Sequence, residues 1–217
     1  MHQALTFQNV LLDEESQPVS LDVPQGAMVA LITARQDEND RLVRVMLGLS
    51  RPFSGSVSTL GEDVAAASER SLLDLRRRLS VVHPGGGLVS NLKVWENLVL
   101  PLEYHSSLSP AEIEARALAA LRRVGYVGGL MELPGPLPLY EKRLIGLARA
   151  MLTEPELIIY NAILAGLRGE EKSSIISTIM EFHRQDPKRS SLFVTPNLEL
   201  ISDVSFDSRI FLHGSAR

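Results

Sequence analysis

The 217-residue sequence predicts an α/β fold, with a mostly parallel sheet, an N-terminal antiparallel β part and an inserted all-helical subdomain. Three observations carry that expectation. The run MVALIT at 28–33 is apolar on both faces, as a strand covered on both sides must be, and such strands belong to parallel sheets flanked by helices. From Val94 to Leu152 the pattern is helical only. Strand and helix then alternate again from Glu156 onward.

Taken in order, LTFQNVL at 5–11 and VSLDV at 19–23 alternate as half-buried strands do, and Pro24-Gln25-Gly26 makes a turn before the buried run. A helix is expected from Asp40 to Gly48, apolar on most of its circumference through Leu42, Val43, Val45, Met46, Leu47 and Leu49. SGSVSTLG at 54–61 reads as a strand, SERSLLDLRRRL at 68–79 as a helix, and LSVVHP at 79–84 as a buried strand closed by Pro84 and three glycines. Ser109-Pro110-Ala111-Glu112 marks a helix start, with Ser109 as cap, Pro110 in the first turn and Glu112 completing a capping box. Behind it Ile113, Ala117, Leu121 and Val124 share one face. ELIIY at 156–160, a helix at 169–185, SLFVT at 191–195, a short helix at 197–202 and SRIFLH at 208–213 complete the chain. One domain is expected over 1–217, with an α/β core and β subdomain at 1–84 and 153–217 and a helical subdomain at 85–152.

Composition narrows the function. A net charge of -4 gives no general attraction to nucleic acid or to an anionic membrane, so neither is an expected partner. Without cysteine there is no disulfide, thiolate catalysis or cysteine-held zinc. His2, His83, His105, His183 and His213 never fall at helical metal-ligand spacing, and no metal is expected. No apolar run approaches the ~20 residues of a spanning helix, and the N-terminus lacks the pattern of a signal peptide. A cytoplasmic location without direct membrane insertion is the expectation.

Several phrases carry a family resemblance. VPQGAMVALI at 23–32, LGLSRPFSGSV at 47–57, RRRLSVVHPGGGLVSNLKVWENLVLPLEYH at 76–105, LARAMLTEPELII at 147–159 and AGL at 165–167 stand in the order and spacing of an ABC transporter nucleotide-binding domain. The chain resembles that family over nearly its whole length, and GGLVSN with ENLVLPLEYH most resembles the ATPase subunits of lipid-trafficking, Mce-type transporters. The resemblance implies a P-loop NTPase core of the ABC ATPase type.

It also implies where nucleotide chemistry belongs, and there the residues differ. At the phosphate loop this chain reads TARQDENDR at 33–41, with Asn39 at the lysine position and Thr33, Gln36 and Glu38 in place of the loop glycines. Such a loop wraps phosphates with backbone N–H groups and neutralises them with lysine. Asp37, Glu38 and Asp40 repel a unit of phosphate charge by up to ~4 kcal/mol each at close range and an effective dielectric of about 20. Arg35 and Arg41 offset part of that. Elsewhere Pro84 stands at the Q-loop glutamine, Leu137-Pro138-Leu139-Tyr140 at the signature, Asn161 and Ala162 at the Walker B pair, Arg168 at the D-loop aspartate and Pro196 at the switch histidine.

These replacements lead to the expectation of a catalytically inactive, ABC-type subunit that binds neither ATP nor Mg²⁺ and forms no ATP-driven homodimer. Its partners would be a permease or an active ATPase subunit, at the inner face of the membrane. The alternatives are a weak ATPase completed by a partner, and a cleft re-used for another ligand. The resemblance places the partner interface at Leu88, Val89, Asn91, Trp95, Leu100 and Tyr104. Pro84-Gly85-Gly86-Gly87, with no Lys-Ser/Thr behind it, reads as a structural turn, and His83 as a half-buried histidine without a catalytic role.

Overall fold

The structure of the chain, a computed structural model, describes residues 2–105 and 107–212. Strand β1 (Gln3–Leu11) pairs antiparallel with β2 (Val19–Pro24) and with β4 (Ser54–Thr59), and the two-residue β5 (Glu62–Asp63) adds at the edge. The second sheet has the spatial order β6 (Leu79–Val82), β7 (Leu157–Asn161), β8 (Ser190–Thr195), β3 (Met28–Ile32) and β9 (Ser208–Phe211). Every neighbouring pair in it is parallel. The last strand ends at Phe211, and His213 lies outside the described residues.

The alternation of side chains along the parallel strands divides the apolar interior in two. Met28, Ala30 and Ile32 of β3, Ile158 and Tyr160 of β7 and Phe193 of β8 enter one cluster. Val29 and Leu31, Leu157 and Ile159, and Leu192 and Val194 enter the other. The first cluster is closed by helices α3 (Val94–His105), α4 (Pro110–Val124), α5 (Leu139–Leu152) and α6 (Gly169–Arg184). The second is closed by the antiparallel sheet with α1 (Gln36–Met46) and α2 (Glu69–Arg78). Burial on both sides is the reason these strands are apolar without interruption.

The capping box of α4 forms as the sequence predicts: Ser109 accepts from the Glu112 backbone while the Glu112 carboxylate accepts from the Ser109 N–H. Ile113, Ala117, Leu121 and Val124 are the buried face of that helix. Helix α1 departs from expectation, because it begins at Gln36 rather than Asp40. A helix in place of a loop decides the geometry of the site described next.

Candidate functional site

The site is built where β3 ends and α1 begins, opposite the end of β7. Only Thr33, Ala34 and Arg35 separate the strand from the helix. Arg35 occupies the cap position without a side-chain cap bond. The role of an anion at the helix start falls instead to Glu38, whose carboxylate accepts from the Ala34 N–H at 2.8 Å. Glu38 is buried, and so are Thr33 and Asn39.

Asn39 is fully buried and bridges α1 to the sheet. Its amide donates to the Val194 carbonyl at 3.3 Å and to Asn161 Oδ1 at 3.3 Å, and its own oxygen accepts the Thr33 hydroxyl. Gln36 Nε2 donates to the same Asn161 oxygen at 2.9 Å, and Asn161 Nδ2 donates to the Asp40 carboxylate at 2.7 Å. Two buried amides with every polar atom engaged fill the floor of the cleft, as buried polar groups must. Ala162, next along from Asn161, holds a left-handed φ of 45° while its N–H bonds to the Val194 carbonyl at 2.8 Å.

Around this floor, Arg41 forms an ion pair with Asp13 in the β1–β2 loop and a longer one with Asp37 at 3.9 Å. The arginine lowers the Asp13 pKa, first through their hydrogen bond. His83 stands at the end of β6, its pKa lowered by desolvation and then by Arg149, with Asp40 acting in the opposite sense. Tyr140, at the signature position, packs partly buried against the main core cluster.

The predicted interface residues separate into two groups at opposite ends of α3. Leu100 and Tyr104 line a groove of about 890 Å³ between α3, the α2–β6 junction and α5. Its walls also hold Arg76, Arg77, Arg116, Arg149 and Thr153. Tyr104 is 76% exposed. Leu88 and Trp95 are instead partly buried against the core, while Val89 and Asn91 lie exposed before the start of α3. Two of the groove's arginines, Arg116 and Arg149, carry no signal in the sequence. Arg116 and Arg149 sit on amphipathic helices where charge periodicity looks like ordinary solvation, and only packing brings them to one concavity.

The family model described as ABC transporter matches residues 16–164, and the chain belongs to the ABC transporter family. The fold is that of a P-loop ABC ATPase. A dimeric ATP-binding cassette, in a post-hydrolysis state bound to ADP and Pi, superposes with a TM-score of 0.82 over 96% of this chain and 94% of its own, at 19% identity. Among sequence relatives, the methionine import ATP-binding protein MetN 1 of Rhodopseudomonas palustris is 31% identical over 183 residues, which are 84% of this chain and 48% of that protein. MetN of Rhizobium meliloti is 31% identical over 196 residues, 90% of this chain and 54% of its own length. The chain thus spans about half the length of the curated relatives it matches.

These relatives correct the expectation of inactivity. An inactive, non-enzymatic subunit without ATP or Mg²⁺ conflicts with kinship to proteins named as ATP-binding, and with a structural neighbour that holds ADP and Pi. The expected absence of a nucleotide-driven homodimer is likewise unsupported, since that neighbour is itself a dimer. The relatives' names concern methionine import rather than lipid trafficking, so they support the family and not the Mce-type likeness. The expectation of inactivity rested on single side chains, whereas the fold is shared with that neighbour over 96% of this chain. The alternative of a cleft re-used for a different ligand falls with it, since the relatives are named for ATP binding.

The fit of a magnesium nucleotide can be tested on the Ala34 N–H. In this arrangement the Glu38 carboxylate already holds that donor, and Asn161 is tied to Gln36, Asn39 and Asp40. The first lysine of the chain is Lys93, so no lysine accompanies the loop. The groups as arranged do not fit a phosphate chain, and no hydrolytic step is derived from them.

Proposed function

We propose that the chain is the ATP-binding subunit of an ABC transport complex of the import type, seated at the cytoplasmic face of a permease. The observation that carries this reading is the family match across residues 16–164 on a complete cassette fold. Import of methionine or a similar small amino acid is the substrate class that the relatives' names suggest. The permease would meet the groove bordered by Leu100 and Tyr104, with Val89 and Asn91 at its far approach and Leu88 and Trp95 supporting the segment from beneath. An apolar floor open to solvent and lined by arginines is a reason to expect a protein segment there.

Nucleotide would enter over the start of α1. A phosphate must then displace the Glu38 carboxylate from the Ala34 N–H, because two anions cannot share one donor. Glu38→Gln removes that competing charge, and MgATP is expected to bind the variant about tenfold more tightly than the unaltered chain. Calorimetric titration measures both. Absence of saturable binding to either protein at millimolar MgATP would sink the nucleotide half of the reading. Loss of co-purification with a permease on Tyr104→Glu, with folding intact, tests the docking half.

A further inference from the structure

The groove that Leu100 and Tyr104 border is opposite in charge to the chain as a whole. The chain carries a formal net charge of -4, yet among the described residues the groove is lined by Arg76, Arg77, Arg116 and Arg149 against Glu154 alone. Leu100, Leu102, Leu108 and Leu152 supply its apolar part. A smaller hollow of about 220 Å³ shares Arg116, Leu152 and Glu154 with the groove and adds Arg123, so the basic lining continues along α4.

The four arginines differ in what already occupies them. Arg76 is spent just past the end of α1, where Nε donates to the Leu47 carbonyl and Nη2 to the Gly48 carbonyl, both at 3.0 Å. Arg149 Nη2 donates to the carbonyls of Gly86 and Gly87, in the glycine turn at 84–87, at 3.2 and 2.7 Å. These two are held by backbone and build the wall. Arg78, the next residue of α2, is matched by Glu156 through bonds of 2.7 and 2.9 Å.

Arg77 and Arg116 are left. Arg77 meets Asp74 at 3.5 Å in an exposed pair one helical turn apart, a contact of little strength. Arg116 has no carboxylate within ion-pair distance among the described residues. Glu154, at a left-handed φ of 47°, pairs with neither.

We infer that this groove selects an acidic partner segment: a short amphipathic helix of the permease, apolar toward Leu100, Leu102 and Leu152, with carboxylates that pair with Arg77 and Arg116. The inference rests on the docking reading given above and adds the chemistry of the docked segment. Any segment that covers the leucines also removes water from the two guanidinium groups. A cation desolvated without a counter-charge is costly, so a neutral or basic segment is rejected by that cost.

An amphipathic peptide of about fourteen residues, with leucine and alanine on one face and glutamates on its flanks, is the probe. Fluorescence anisotropy on the full chain compares it with the same peptide carrying glutamine for every glutamate. The acidic peptide is expected to bind about tenfold more tightly, and the advantage to shrink to about twofold between roughly 0.05 and 0.5 M salt. Arg77→Gln with Arg116→Gln should erase the advantage, and Arg77→Lys with Arg116→Lys should keep most of it. Glu154→Gln should strengthen binding of the acidic peptide about twofold and leave the neutral one unchanged. Equal binding of the two peptides to the unaltered chain, or an advantage that survives the double glutamine variant, overturns the charge selection and leaves the docking reading in place. Binding of neither peptide overturns it too, and co-purification of the permease with the unaltered chain and with Tyr104→Glu then judges the docking reading separately. Sedimentation of the chain with phosphatidylserine vesicles, lost in the double glutamine variant, would assign the two arginines to a membrane surface and likewise overturn the inference.

Discussion

The cleft over α1 and the turn under α5 both lie where a strand of the parallel sheet gives way to a helix, and they treat the backbone in opposite ways. At the cleft no glycine occurs between Ile32 and Met46, and side-chain amides and a carboxylate close the space. At the turn there are three glycines in a row, and the exposed backbone is drawn onto a neighbouring helix by arginines. A glycine-rich run therefore does not by itself mark a ligand loop. What decides is whether the carbonyls or N–H groups are left for something outside the chain.

The contrast can be broken most forcefully at Gly86. Gly86→Ala forces a Cβ onto the Lys142 carbonyl at a positive φ and is expected to cost about 3 kcal/mol, whereas Gly85→Ala should stay within about 0.5 kcal/mol. Urea denaturation of the two variants compares them directly; equal effects would mean that α5 does not press on the turn. At the cleft, Asn39→Leu strips donors from Asn161 and from the Val194 carbonyl while burying an apolar group in their place. A loss of about 2 kcal/mol is expected in the same assay.

The smallest effect concerns pH. Desolvation and Arg149 lower the His83 pKa in the folded chain, so the unfolded chain takes up the proton more readily. The histidine's contribution is complete above its unfolded value of about 6.5 and is lost as pH falls from there toward the folded value. His83→Gln should flatten the fall in stability between pH 7 and 5 only slightly, because the ring is exposed and solvent screens the charges around it. His183, lowered chiefly by desolvation and bonded to Ser191 at 3.0 Å, should continue to contribute a fall of the same sign. A steeper acid slope in the variant would show that His83 is better protonated in the folded state than free in solution.

Much of the architecture was legible in the residues. The unbroken apolar runs at 28–32 and 157–160 pointed to a parallel sheet, because strands buried on both faces are typical of sheets covered by helices on each side. Ser109 and Glu112 marked the start of α4 through local bonds that need no tertiary partner. The site was legible only as a set of substitutions. Reading Asn39, Asn161 and Glu38 as losses led to an inactive subunit, and the family relation corrected it. Leu88 and Trp95 were expected beside Tyr104 because the resemblance places all three at one interface, yet packing sends them to different surroundings.

The sequence by itself determined the order of strands and helices, the two-faced sheet and the cap of α4, since periodicity and capping act over a few residues. Tertiary structure decided that α1 would begin at Gln36 with Glu38 over Ala34, that Asn39 and Asn161 would meet from positions 122 residues apart, and that Arg143 and Arg149 would reach back about 60 residues to the glycine turn. Such contacts leave no local period, because a buried polar side chain is placed by the partner that satisfies it, and that partner is brought near only by packing of the sheet and helices.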